Sequence, residues 1–186
     1  MAIIPGIYAS QISGHLSTGN FFLISSVTAT GSETTLSFSS IPSTYKSLQI
    51  RGIAMAVNAT YTRNWNMTFN SDTGTNYAYH YLLGNGSTAS AGGGATNANT
   101  LSGLSVAGSS LANTPAPMII DIIDYANTNK NKTVKSLTGV NNNGGGAQEV
   151  TISSGLWMST AAITSIQLVI NGVYAAGSKF TLYGVS

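Results

Sequence analysis

The chain has 186 residues, a net charge of +2, 42% hydrophobic residues and only 6% charged residues, against about 25% charged in an average soluble domain. It has no cysteine, which excludes disulfides, iron–sulfur clusters, cysteine catalysis and thiolate zinc sites. Its seven basic residues are scattered, too dispersed for a nucleic-acid footprint, and no apolar run reaches the roughly 18 residues of a membrane-spanning helix.

Residues 1–20 stand apart from the rest. Pro5, Gly6, Gly14 and Gly19 interrupt the apolar Ile3, Ile4, Ile7, Tyr8, Ile12 and Leu16, and this argues against a long helix. The segment reads as an arm lying on another surface. The alternative is an ordinary first strand tucked against its own core. No basic start leads into an apolar core, so a secretory leader is not expected.

From residue 21 onward the dominant period is two, the signature of half-buried strands. Leu36 and Phe38 alternate with Thr35, Ser37 and Ser39, and Leu48 and Ile50 with Ser47, Gln49 and Arg51. Trp65, Met67 and Phe69 alternate with Asn64, Asn66, Thr68 and Asn70. Tyr77, Tyr79 and Tyr81 share one face, opposite Ala78, His80 and Leu82. The low-complexity stretch Ser87–Asn99 reads as a long flexible loop. Met118–Ile123 is apolar on both faces except at Asp121, so it reads as a central strand between two layers. Ser159–Ser165 is the one place where a helical turn is expected. Phe180 and Leu182 close the pattern.

Turn clusters separate about eleven strands. Asn-Gly pairs at 85–86, 143–144 and 171–172 are hairpin signals, because both residues tolerate positive φ. Many short strands at this spacing predict an all-β fold, a jelly-roll-like antiparallel β-sandwich. Residues 1–20 form the predicted arm and 21–186 the predicted β domain.

The inventory for chemistry is short: five acidic residues and two histidines. Asp72-Thr73-Gly74 matches half of an aspartic-protease site, but that chemistry needs two carboxylates sharing a proton, and a single copy reads as a turn. Asp121 lies in an apolar strand and needs a partner, which Arg51 or Lys135 can supply. His80 has no neighbouring acid or second histidine in sequence, so no metal site is expected there. Tyr61, Trp65, Tyr77, Tyr79, Tyr81 and Trp157 carry rings able to stack on sugars, although the alternation sends Trp65 and one tyrosine face to the core. No enzyme activity, cofactor or metal is expected.

Several ordered stretches carry a resemblance. They are Phe38-Ser-Ser-Ile-Pro-Ser-Thr-Tyr45 running into Leu48-Gln-Ile-Arg-Gly52, Met67-Thr-Phe-Asn70 leading to Asp72-Thr-Gly-Thr-Asn-Tyr77, and Tyr79-His-Tyr81 before Gly84-Asn-Gly86. Further on come Ile123-Asp-Tyr-Ala-Asn-Thr-Asn-Lys130, Ser154-Gly-Leu-Trp157 and Phe180-Thr-Leu-Tyr-Gly184. Together, across roughly residues 21–185, the chain resembles a family of tailed-bacteriophage virion proteins. That family includes tail-associated proteins and the jelly-roll cement proteins that decorate cyanophage capsids.

The resemblance implies a virion structural protein and offers no catalytic residues. The expected role is capsid cement (decoration) on the capsid exterior, after assembly in the host bacterial cytoplasm. The expected partner is the major capsid protein, gripped by Ile3, Ile4, Ile7, Tyr8 and Ile12 of the arm. The expected oligomer is a homotrimer, with no membrane or nucleic-acid partner. The alternative is a tail-fibre or receptor-binding module contacting host glycans through loop aromatics.

Overall fold

The computed structural model describes residues 20–57, 62–98, 100–107, 114–141 and 148–186. The arm residues Ile3, Ile4, Ile7, Tyr8 and Ile12 lie outside them. Among the described residues there are twelve strands and no helix: β1 (Phe21–Thr28), β2 (Thr35–Phe38), β3 (Ser47–Ala54), β4 (Thr62–Phe69), β5 (Tyr77–Gly84), β6 (Ala89–Ala98), β7 (Leu101–Ala107), β8 (Ala116–Ile123), β9 (Lys132–Val140), β10 (Glu149–Trp157), β11 (Ile166–Ile170) and β12 (Lys179–Val185). They form an eight-stranded sheet, ordered β1-β12-β3-β8-β9-β10-β5-β6, and a four-stranded sheet, ordered β2-β11-β4-β7. Every pairing is antiparallel. The two sheets pack as a sandwich, which bears out the all-β expectation.

The core lies between the sheets, where the predicted alternation puts it. Leu48, Ile50, Ile120, Ile122, Phe180 and Leu182 of the large sheet meet Leu36, Phe38, Trp65, Met67, Phe69, Ile166 and Leu168 of the small one, all buried. Trp65 stacks on Phe180 with centroids 5.9 Å apart. Its indole N–H donates to the Tyr174 hydroxyl, which donates in turn to the Leu168 carbonyl at 3.2 Å. Both polar tips are therefore satisfied inside an apolar layer, as burial requires. Burial also pushes the Tyr174 hydroxyl well above the usual tyrosine range.

Three local expectations change. First, Ser87–Asn99 is not a loop: Ala89–Ala98 pairs with β5 as an edge strand. Composition alone disfavours a strand there, but the glycines have a packing reason. Tyr79 lies opposite Gly94 and Tyr81 opposite Gly92, and a Cβ at either glycine would fall within 3 Å of the tyrosine ring. Second, Asn85-Gly86 does close a hairpin: Gly86 sits at φ 87, and Asn85 Oδ1 accepts from the Ser87 and Thr88 amides at 3.0 and 2.8 Å. Asn171-Gly172, by contrast, leads from β11 in the small sheet to β12 in the large one, so it is a crossing turn. The pair at 143–144 lies outside the described residues. Third, no helical turn forms at Ser159–Ser165.

Two polar clusters pin the loops. Lys132 points inward from the start of β9 and is fully buried. Its ammonium donates to the carbonyls of Asn127 and Lys130, both at 2.6 Å, and of Thr160 at 3.2 Å. Burial lowers its pKa, and the nearby Asp124 charge opposes that shift. Asp72 accepts from the Trp157 indole at 2.7 Å, the Asn76 amide at 2.9 Å and the Gly74 backbone N–H at 2.8 Å. The Asp-Thr-Gly triplet is thus a turn that ties the β4–β5 connection to the end of β10.

A candidate interaction surface

Each strand of the large sheet sends alternate residues to the face turned away from the core. Lateral register sorts those residues into rows. One row runs Ile119 on β8, Leu137 on β9, Ile152 on β10 and Leu82 on β5, each directly opposite the next. These side chains are 43%, 49%, 46% and 53% exposed. Beside it, Ile53 faces Pro117, and Val150 lies between Gly139 and Gly84. A shallow depression of about 340 Å³, lined by Pro117, Ile119, Leu137, Gly139 and Val150 among others, runs along this band. A neighbouring one of about 510 Å³ continues it past Gly84 and Glu149. Met118–Ile123 is therefore a central strand of its sheet, as expected, but its outer aliphatics are uncovered among the described residues.

The next row is polar: Gln49, Asp121, Lys135, Ser154 and His80, again in continuous register. Asp121 accepts from the Gln49 amide at 2.7 Å and pairs with Lys135 at 3.6 Å. Of the two partners considered for Asp121, Lys135 is the one in contact. Arg51 instead donates to Gln49 Oε1 at 2.6 Å and lies over the Phe21 ring, 4.7 Å from its centroid. His80 is exposed at the end of the row. Among the described residues, no three His, Asp or Glu side chains come together as a metal site.

The inner face of the same strands carries the opposite chemistry. Ser136 and Thr138 on β9 and Thr151 on β10 are each 2% exposed, and among the described residues their hydroxyls have no hydrogen-bond partner. Over this stretch of β9 and β10, hydroxyls face inward and aliphatics face out. Sequence reasoning missed the aliphatic band for that reason. The period-two signal was present at Leu137, Val150 and Ile152, but alternation alone does not say which face looks inward.

The aromatics give little stacking platform. Trp65, Trp157 and Tyr77 are buried, Tyr79 and Tyr81 are half-buried, and Tyr61 lies outside the described residues. Tyr77 is held inside by a 3.0 Å bond from the Phe69 amide and another to the Asp72 carbonyl, and burial pushes its pKa up to about 12. Among the described residues Phe21, 46% exposed, is the most exposed aromatic ring, and the Arg51 guanidinium covers one of its faces.

Comparison of the chain with protein-family models and with curated proteins finds no match.

Proposed function

We propose that the protein is a virion structural component, a capsid cement (decoration) protein that holds neighbouring capsomers together by non-covalent contacts. The observation that carries this reading is the aliphatic outer face of the large sheet, set in a chain with 6% charged residues. A surface of aliphatics, hydroxyls and amides gains little from water and is suited to close packing against other protein. In this reading the protein does no covalent chemistry and works at the capsid exterior. Residues 1–20 are its docking arm: Ile3, Ile4, Ile7, Tyr8 and Ile12 lie on the major capsid protein, and each fully buried isoleucine adds about 1.5–3 kcal/mol. Repeated copies on a symmetric shell strengthen attachment through avidity.

The strand order supports a jelly-roll body. Strands β2-β11-β4-β7 and β3-β8-β5-β6 would make the two four-stranded sheets of that fold, with hairpin β9–β10 inserted between β8 and β5 and with β12 and β1 extending the β3 edge. Two experiments test the function. Cryo-electron microscopy of the intact particle should place the chain on the shell with residues 1–20 laid over capsid protein. Deletion of Met1–Gly14 should abolish shell binding while circular dichroism still reports a folded β domain. Density confined to the tail would overturn the cement role and favour glycan recognition.

A further inference from the structure

We propose that the outer face of the eight-stranded sheet packs against the same face of a second copy of the chain. The two-fold axis would run parallel to the strands, between β9 and β10. This deepens the assembly reading by naming what covers the face, and it does not depend on the identity of the particle.

The rows decide the geometry. A two-fold axis along the strands exchanges β9 with β10 and β8 with β5, and it keeps every row at its own height. Leu137 then faces Ile152 of the second copy and Ile119 faces Leu82, so the aliphatic row meets itself. In the polar row the same operation sets Asp121 over His80 and Lys135 over Ser154. The one acidic group of the row thus meets an imidazole rather than another carboxylate. An in-plane axis across the strands would instead lay the Asp121–Lys135 ion pair over the Val150 band, desolvating charges with no compensation. The surface is self-complementary for one two-fold operator and not for the other, the property an isologous interface needs.

The area fits as well. Six aliphatic side chains between 43% and 59% exposed (Ile53, Leu82, Ile119, Leu137, Val150 and Ile152) line the face. They offer roughly 500 Å² per copy, near the upper range for a patch left open on a monomer. Two copies with their polar rows pass the roughly 1,000 Å² that a specific interface requires. Face-to-face sheets about 10 Å apart are an ordinary packing mode.

The test uses the full chain. Sedimentation velocity over a concentration series should show a monomer–dimer equilibrium. Leu137→Asp should weaken it at least 100-fold without changing the circular dichroism spectrum. Because the chain has no cysteine, an Ile119→Cys/Leu82→Cys variant provides a second readout that leaves the fold intact. Within one chain these positions are three strands apart, about 14 Å, beyond a short bis-maleimide. Between copies they are apposed, so the double variant should cross-link into dimers and neither single variant should. A monomeric wild type at all concentrations overturns the proposal, as does a trimer that ignores Leu137→Asp. So does a dimer that appears only after residues 1–19 are deleted, which would assign the face to the chain's own arm. Shell binding by a wild type that is monomeric at all concentrations would remove the pairing and leave the cement reading standing, and a wild-type dimer that does not bind the shell would do the reverse.

Discussion

Strand β8 and the hairpin β9–β10 are neighbours in one sheet, and both alternate with period two. On β8, which is apolar on both faces, the inward Met118, Ile120 and Ile122 are buried while the outward Ile119 and Ile123 are exposed. Along the middle of the hairpin the inward residues are Ser136, Thr138, Thr151 and Ser153, and the outward ones are Leu137, Val150 and Ile152. A one-residue slip would turn the hairpin's aliphatics inward and give its hydroxyls to water. The ends of the hairpin oppose that slip. Val134 and Val140 bracket the hydroxyls on the inner face of β9, and Trp157 is buried at the end of β10 with its indole on Asp72. Register is thus set by a few large end residues, and the strand middle is left free to serve a surface.

The sharpest test of this contrast uses adjacent residues on β8. Ile120→Ala should cost about 2–5 kcal/mol, because it opens a cavity in the core. Ile119→Ala should change stability by no more than about 0.5 kcal/mol where the chain is monomeric. Denaturant unfolding of both variants checks the pair, and equal losses would mean that the outer face is buried within one chain. Next in size, Gly94→Ala should cost about 1–3 kcal/mol by forcing a methyl against the Tyr79 ring. Amide exchange should locate that loss in β6.

On the inner face of the hairpin the sign reverses. Ser136→Ala and Thr151→Val each remove a buried hydroxyl that has no partner among the described residues, and each should raise stability by about 1 kcal/mol, seen as a higher Tm. A lowered Tm would show that these hydroxyls hold bound water. The smallest effect is acid dependence at the foot of the hairpin. The Trp157 indole, then the Asn76 amide, hold the Asp72 pKa below its ordinary 3.8. A carboxyl whose pKa is lower in the folded than in the unfolded chain stabilises above the unfolded value and loses that contribution as pH falls through the folded one. Asp72→Asn should therefore flatten the slope of stability against pH below about 4; an unchanged slope would exclude Asp72 as its source.

How much of this was legible in the sequence depends on what each residue had to signal. Trp65, Met67 and Phe69, or Leu48 and Ile50, announce both strand and inward face, since a large apolar residue opposite Asn, Ser or Gln has one place to go. Asp121 announced the need for a partner, and Lys135 was one of two candidates. β6 was unreadable because its glycines are specified by tyrosines on another strand, so local composition says loop while the cross-strand neighbour says strand. Lys132 was hidden for a similar reason: its three carbonyl partners come from two loops that only the fold brings together. The aliphatic band needed lateral register across four strands, which no single strand encodes.

The placement of the two tryptophans divides the molecule optically. Trp65 emits from the layer between the sheets, against Phe180 and the Tyr174 hydroxyl. Trp157 emits from the foot of the β9–β10 hairpin, against Phe69 and Tyr77 and beside the Asp72 carboxylate. Replacing either one by phenylalanine leaves a chain whose fluorescence reports a single region, without any added dye. The order in which the two signals are lost during unfolding then shows whether the hairpin departs ahead of the body or together with it.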